Sequence, residues 1–191
     1  MQEERKQAQE ALAYIRQTME SASTFTALSG WGLVAVGVVG LAAAVLAWRT
    51  GWPAKISVWI PAALVGVVCA GVANTLKARR LDMPIWSGSF RKVVWVMAPA
   101  LATGALLTIA LDQAHANYLL PGTWLALYGA GVTAGGTFSL RAVRWMGLAL
   151  IVLGGLALWT RDPLQTTVIL AVGFGALHIL FGFYLVGKHG G

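Results

Sequence analysis

The sequence predicts an all-α protein, a polytopic membrane bundle of six transmembrane helices with an amphipathic N-terminal helix in the cytoplasm. The first observation is composition: 58% of the 191 residues are hydrophobic and only 11% are charged, whereas a typical soluble domain has about 25% charged residues. The second is the recurrence of apolar runs of about 20 residues, the length that crosses a hydrocarbon core of roughly 30 Å. The third is that basic residues collect at alternate ends of these runs.

Six apolar runs approach the length that a membrane crossing requires. They are approximately Gly30 to Trp48, Ile56 to Leu76, Val93 to Leu111, Leu120 to Leu140, Trp145 to Trp159 and Thr166 to Val186. Six crossings place both termini on one side of the bilayer. We therefore expect a cytoplasmic helix over residues 1–28 and a six-span membrane domain over residues 29–191.

The distribution of lysine and arginine predicts the orientation, because cytoplasmic loops of membrane proteins carry an excess of these residues. The side of the N-terminus holds Arg5, Lys6, Arg16, Lys77, Arg79, Arg80, Arg91, Lys92, Arg141, Arg144 and Lys188, and the opposite side holds Arg49, Lys55 and Arg161. This asymmetry predicts a multi-pass membrane protein with both termini in the cytoplasm.

The N-terminal segment has apolar residues at helical spacing. They are Ala8, Ala11, Leu12, Ile15, Met19 and Ala22. One interpretation is a helix that lies against lipid headgroups or the inner loops, and another is a docking helix for a cytoplasmic partner. The small size of most of these residues favours the first interpretation.

Several classes of function are disfavoured by what the sequence lacks. The net charge of +7 is spread over short loops, and no basic folded domain suited to nucleic acid is present. No nucleophile motif, phosphate loop or paired carboxylate appears, so we expect no enzyme activity. Cys69 stands alone, which argues against a disulfide framework or a thiolate metal site.

Metal and cofactor sites are also not expected. Asp112 and His115 have the spacing of two metal ligands on a helix, but a hydrated helix end explains them more simply. A bis-histidine haem site needs two histidines at matching depth, whereas His115 and His189 are placed in a loop and a tail.

His178 is the candidate polar residue inside the predicted membrane domain, because no Asp, Glu, Lys or Arg lies in the interior of a span. An imidazole in hydrocarbon needs a hydrogen-bond partner, and such a residue is a candidate ligand contact. A structural histidine bonded to a neighbouring helix is the competing interpretation. The candidate neighbours are Thr103, Thr108, Thr133, Thr137 and Asn74. The predicted ligand-binding set consists of His178, Thr133, Thr137 and Asn74.

The fourth run contains the glycine-rich stretch "YGAGVTAGGTFSLRAV". On a helix, Gly131, Gly135 and Ser139 form one ridge of small residues, and Gly129, Thr133 and Thr137 form a second ridge beside it. Small residues allow helix backbones to approach closely in a membrane. We therefore expect Gly129, Gly131, Gly135 and Gly136 to pack helices rather than to line a pore.

Three stretches resemble a group of small, uncharacterised bacterial six-span integral membrane proteins. They are "IRQTMESASTFTALSGWG", "PGTWLALYGAGVTAGGTFSLRAV" and "GFGALHILFGFYLVGKHGG". The resemblance covers most of the chain and implies a location in the bacterial inner membrane, but it implies no catalytic residue.

Two functions are compatible with these features. The first is a membrane-embedded interaction or sensory component, in contact with membrane lipids and with a membrane or cytoplasmic protein partner or further copies of itself. The alternative is a small-molecule binding protein or transporter in which His178 is the polar contact. The sequence predicts no cofactor for either function.

Overall fold

The structure is a computed structural model that describes residues 2, 5–7, 9–12, 14–15, 28–52, 55–82, 84, 86 and 88–189. The described residues form helices and turns and contain no strand, which confirms the all-α fold. Five of the helices are long and apolar enough to cross a membrane. The chain is therefore built like a multi-pass membrane protein.

The helices follow the predicted runs and extend beyond most of them. Their bounds are α1 Gly30–Arg49, α2 Ile56–Arg80, α3 Gly88–Gln113, α4 Leu120–Gly135, α5 Arg141–Trp159, α6 Pro163–Leu170 and α7 His178–His189. A π-helical turn, Ala171–Leu177, joins α6 to α7. We call the continuous run Pro163–Lys188 the last span.

The fourth helix differs from the expectation in its length. The α-helical part of α4 has 16 residues, which corresponds to roughly 24 Å and is shorter than a typical hydrocarbon core. Short 3-10 helices, Asn117–Leu119 and Gly136–Phe138, extend it at both ends. Glycine-rich sequence at its end explains why the α-helix stops before the apolar run does.

The described residues near the N-terminus are helical and exposed to solvent. They include Leu12 and Ile15, which are 66% and 53% exposed. Ala8, Met19 and Ala22 of the predicted amphipathic face lie outside the described residues. The surface helix over residues 1–28 thus stays a prediction.

The helices form two groups that meet along the last span. In the first group, α1 packs against the last span on one side and against α2 on the other. In the second group, α4 packs against α5 on one side and against α3 on the other. Buried side chains of α4, α5 and α6 form the core between the groups: Leu125, Val132, Met146, Leu150, Ala157 and Leu170.

Glycines bring α1 and the last span into backbone contact. A Cβ atom built on Gly30 would lie 2.6 Å from the carbonyl oxygen of Gly182, and one on Gly37 would lie 2.7 Å from that of Gly175. No side chain fits in these spaces. The seven-residue spacing within each helix repeats the contact every two turns, as in a left-handed antiparallel helix pair.

The second group contains the same arrangement between α4 and α5. A Cβ atom on Gly122 would lie 2.7 Å from the carbonyl oxygen of Gly154, and one on Gly129 would lie 2.7 Å from that of Gly147. The spacing is again seven residues on both helices. We call these two units, α1 with the last span and α4 with α5, the glycine pairs.

Adjacent glycines of α5 provide a direct test of the glycine pairs. A Cβ atom on Gly154 would lie 2.6 Å from the backbone nitrogen of Ala126, whereas one on Gly155 would meet nothing within 4 Å. We predict that Gly154→Ala lowers the free energy of unfolding by about 1–3 kcal/mol through overpacking. Gly155→Ala should change it little or raise it by up to about 1 kcal/mol through helix propensity.

The measurement is denaturant-induced unfolding of both variants in the same detergent micelles, followed by circular dichroism. Equal effects of the two substitutions would show that α4 and α5 do not approach through Gly154.

Candidate functional site

His178 is completely buried, with 0% of its surface exposed. Its Nδ1 atom lies 3.0 Å from the carbonyl oxygen of Gly173, within the same span. Its Nε2 atom lies 3.0 Å from the hydroxyl oxygen of Tyr128 on α4. Both ring nitrogens therefore have partners, as an imidazole at membrane depth requires.

The identity of the two partners determines which ring nitrogen carries the hydrogen. A carbonyl oxygen only accepts hydrogen bonds, so Nδ1 of His178 must be the donor to Gly173. In a neutral imidazole the other nitrogen is then an acceptor, and the hydroxyl of Tyr128 donates to it. This arrangement satisfies the ring without a charge in the bilayer.

The π-helical turn lies directly before His178 in the chain. It covers Ala171–Leu177 and includes Gly173, whose carbonyl accepts from the imidazole. A π-turn is wider than an α-turn, is rare in proteins and occurs frequently at functional sites. Glycines on α1 make room for it: a Cβ atom on Gly37 would lie 2.7 Å from the carbonyl oxygen of Gly175, and one on Gly40 would collide with the carbonyl of Phe174.

Aromatic rings surround the histidine and the tyrosine. Phe174 lies with its ring centre 5.6 Å from that of Trp59, 5.7 Å from that of Tyr128 and 6.4 Å from that of His178. Trp59, Tyr128, Phe174 and His178 are the aromatic cluster of the protein. Each such contact stabilises the packing by about 0.5–1.5 kcal/mol beyond the area that it buries.

The structure does not bring the predicted ligand-binding set together. The hydroxyl of Thr133 donates to the carbonyl of Gly129, and that of Thr137 donates to the carbonyl of Ala134. Both bonds stay within one helical stretch and do not reach His178. Asn74 lies on α2, which packs against α1 rather than against α4.

Asn74 is instead part of a polar junction at the start of α1. Its Oδ1 atom accepts a hydrogen bond of 2.7 Å from the backbone nitrogen of Ser29, and the Ser29 hydroxyl accepts from the backbone nitrogen of Gly32. Lys77, which is buried, donates to the carbonyl of Leu28 at 3.1 Å. These bonds cap α1 and fix its beginning against the end of α2.

The glycines of the predicted packing set contact different helices. Gly129 lies against the backbone of α5. Gly136 also contacts α5, since a Cβ atom there would lie 2.7 Å from the backbone nitrogen of Arg144. Gly131 and Gly135 face α3, where a Cβ atom would meet Ala100 at 3.5 Å and Met97 at 3.3 Å respectively. All four glycines contact neighbouring helices within the chain.

Tyr128 is the site residue that sequence reasoning missed. The side chains named as candidate partners for His178 are four threonines and one asparagine, and a backbone carbonyl of a neighbouring helix is the other expected kind of partner. A tyrosine in the middle of an apolar run also carries a hydroxyl that needs a partner when it is buried. Tyr128 lies near the middle of the fourth run, and His178 lies near the middle of the sixth. This match in predicted membrane depth is the sequence feature that could have identified Tyr128 as the partner of His178.

Two surface concavities lie at the end of the bundle where α5 ends and α6 begins. The larger is lined by residues of α5, α6 and the loop between them, and the smaller includes Trp52, Tyr118 and Thr166. Neither is lined by His178. Asp112, near the same end, accepts a hydrogen bond of 2.8 Å from the side chain of Asn117.

Comparison of the chain with known proteins found no matching protein family, no matching curated protein and no matching solved structure. The resemblance to small six-span membrane proteins therefore stays a prediction from the sequence.

The bond between His178 and Tyr128 can be measured by a double-mutant cycle. Tyr128→Phe removes the hydroxyl, and His178→Asn removes the acceptor Nε2 while keeping a donor near the position of Nδ1. We expect a coupling free energy of about 0.6 kcal/mol and at most about 1.7 kcal/mol, the average and the maximum found for hydrogen bonds between membrane helices. Unfolding in detergent micelles gives the four stabilities that the cycle needs.

The matched control pairs His178→Asn with Tyr184→Phe, because Tyr184 is 47% exposed and has no bond to the imidazole. A coupling near zero in the Tyr128 cycle, equal to that of the control, would contradict the assignment of the bond.

Proposed function

We propose that this protein is a membrane-embedded interaction component in which α2 and α3 present a lipid-facing surface to a protein partner or to a second copy of the chain. The observation that carries the proposal is the uneven burial of the helices. In the apolar window of α2 only 11% is buried, and in that of α3 only 6%, compared with 39% in α1.

The position of α2 and α3 in the bundle supports this role. α2 packs mainly along α1, with Trp59 reaching Phe174 of the last span, and α3 packs mainly along α4. Near the end of α2, Ala78 packs against Phe90 and Val93 of α3. Beyond this contact, large apolar side chains of both helices face outward, including Val67 at 71% and Leu106 at 68% exposure.

The glycines of the fourth helix do not supply the interaction surface in this proposal. Gly129, Gly131, Gly135 and Gly136 are already in contact with α3 or α5. An oligomer must therefore use another surface, and the apolar windows of α2 and α3 are the least buried of the five candidate spans. Transmembrane helices associate through van der Waals packing of such faces.

The proposal includes six crossings and a defined orientation. α4 is shorter than a typical span, but it packs along both α3 and α5, and its 3-10 extensions lengthen it. Six crossings place both termini on the side that is rich in lysine and arginine, which is the cytoplasmic side by the positive-inside rule. The bacterial inner membrane is the proposed location.

A second candidate function is binding or transport of a small neutral molecule at the aromatic cluster. One observation favours it: a π-turn, a feature that occurs frequently at functional sites, adjoins His178. The full burial of His178 and the pairing of both its nitrogens favour the interaction role instead.

Site-specific photocrosslinking in membranes tests the interaction role. A photoreactive benzoylphenylalanine replaces Val67 on α2, Leu106 on α3, or Val152 on α5 as a control with a similar exposure of 64%. We expect one discrete protein adduct from the positions on α2 and α3 and none from Val152. An adduct of twice the chain mass of 20.2 kDa indicates a second copy, and a different mass indicates another protein.

The interaction role would be rejected if the three positions gave the same adducts, or if none of them gave an adduct above the lipid background.

Native mass spectrometry of the gently solubilised protein tests the second candidate. A non-lipid molecule that binds at the aromatic cluster should remain on the wild type and be lost from His178→Ala, while the Tyr184→Phe control should retain it. A wild-type chain that carries no such molecule, or variants that all retain it equally, would reject a ligand site at His178.

A further inference from the structure

A surface groove opens between the end of α5 and the beginning of the last span. It has a volume of about 750 Å³, and its lining includes Leu156, Leu164 and Val168. These three side chains are 55%, 56% and 52% exposed. The apolar part of the groove thus extends along α6 as far as Val168, which lies roughly 8 Å from the beginning of that helix at a rise of 1.5 Å per residue.

The upper rim of the groove is polar and its loop is held by hydrogen bonds. The backbone nitrogen of Asp162 donates to the hydroxyl of Thr160 at 3.2 Å, and that hydroxyl donates to Oε1 of Gln165 at 2.7 Å. Trp159 also lines the groove and is 91% exposed. Tryptophan prefers the headgroup level of a bilayer, so we expect this rim to lie at the headgroups.

Arg161 supplies a positive charge on the rim. Its Cζ atom lies 4.0 Å from the centre of the Tyr118 ring, and this cation–π contact holds the guanidinium without using any of its hydrogen-bond donors. Among the described residues no carboxylate forms an ion pair with it. An arginine at the headgroup level whose donors are not used by the described residues suits a phosphate, which it can bind by two parallel hydrogen bonds.

Asp162 supplies a negative charge beside it. One carboxylate oxygen accepts a hydrogen bond of 2.8 Å from the backbone nitrogen of Gln165 and caps α6. In the described part of the chain the other oxygen has no partner. The rim of the groove therefore presents one cationic and one anionic group that are adjacent in the sequence, beside the apolar part of the groove.

We propose that this groove binds one phospholipid with a primary-ammonium headgroup, such as phosphatidylethanolamine. The phosphate contacts Arg161, the ammonium contacts Asp162, and an acyl chain lies between α5 and the last span. A choline headgroup lacks N–H donors for the carboxylate, and a glycerol headgroup lacks the positive charge. The site requires only that the chain lies in a bilayer, so it is independent of the interaction role of α2 and α3.

The test is native mass spectrometry of the protein with an equimolar mixture of three phospholipids that share acyl chains and carry ethanolamine, choline or glycerol headgroups. We expect the wild type to retain one ethanolamine lipid roughly fivefold more than either of the others, which corresponds to about 1 kcal/mol. This comparison needs no substitution and does not depend on the folding of a variant.

Three variants assign the contacts. Asp162→Asn keeps the helix cap, because asparagine caps as well as aspartate, and should reduce retention of the ethanolamine lipid to that of the choline lipid. Arg161→Gln should reduce retention of all three lipids. Arg49→Gln, which removes an exposed arginine outside the groove, should change none.

Equal retention of the three lipids by the wild type would mean an adventitious lipid only and would overturn the proposal. An ethanolamine preference that survives in Asp162→Asn would overturn the assignment of the ammonium contact.

Discussion

Close contact between helix backbones is the constraint on which the rest of this structure depends. In a bilayer the lipid tails are as apolar as the side chains, so helices associate through packing and hydrogen bonds rather than through the hydrophobic effect. The glycine pairs provide such packing, because a side chain at Gly37 or Gly129 would collide with the opposite backbone. Each pair repeats the contact at seven-residue intervals, and short Cα–H···O contacts become available along its length.

The two glycine pairs are linked by a polar contact at mid-depth. His178 belongs to the last span and Tyr128 to α4, so their hydrogen bond connects one pair to the other. The π-turn before His178 contains Gly173, whose carbonyl accepts a hydrogen bond from the imidazole, and the turn fits because α1 has glycines opposite it. The polar contact thus relies on the backbone packing, and in return it fixes how the two pairs are aligned.

The sequence predicted the features that depend on length and period, and it missed those that depend on which helices are neighbours. Apolar runs located the helices, and the ridges of the fourth run indicated close packing. Nothing in one sequence states that Gly129 faces Gly147 while Gly131 faces α3, since both arrangements bury small residues equally well. Tyr128 was missed because a tyrosine in an apolar run suits lipid contact as well as a buried bond, and the π-turn has no sequence signature.

The same packing explains why the outer surface is uneven. The close contacts between helix backbones at glycines occur in the glycine pairs, α1 with the last span and α4 with α5. α2 and α3 belong to neither pair and lie at the edges of the bundle. α2 and α3 each pack mainly along one neighbour, and only 11% and 6% of their apolar windows are buried. The groove beside Arg161 lies between the end of α5 and the beginning of the last span, away from the contacts between α4 and α5 through Gly122 and Gly129. The distribution of small residues therefore accounts for a closely packed centre, and the proposed binding surfaces both lie outside it.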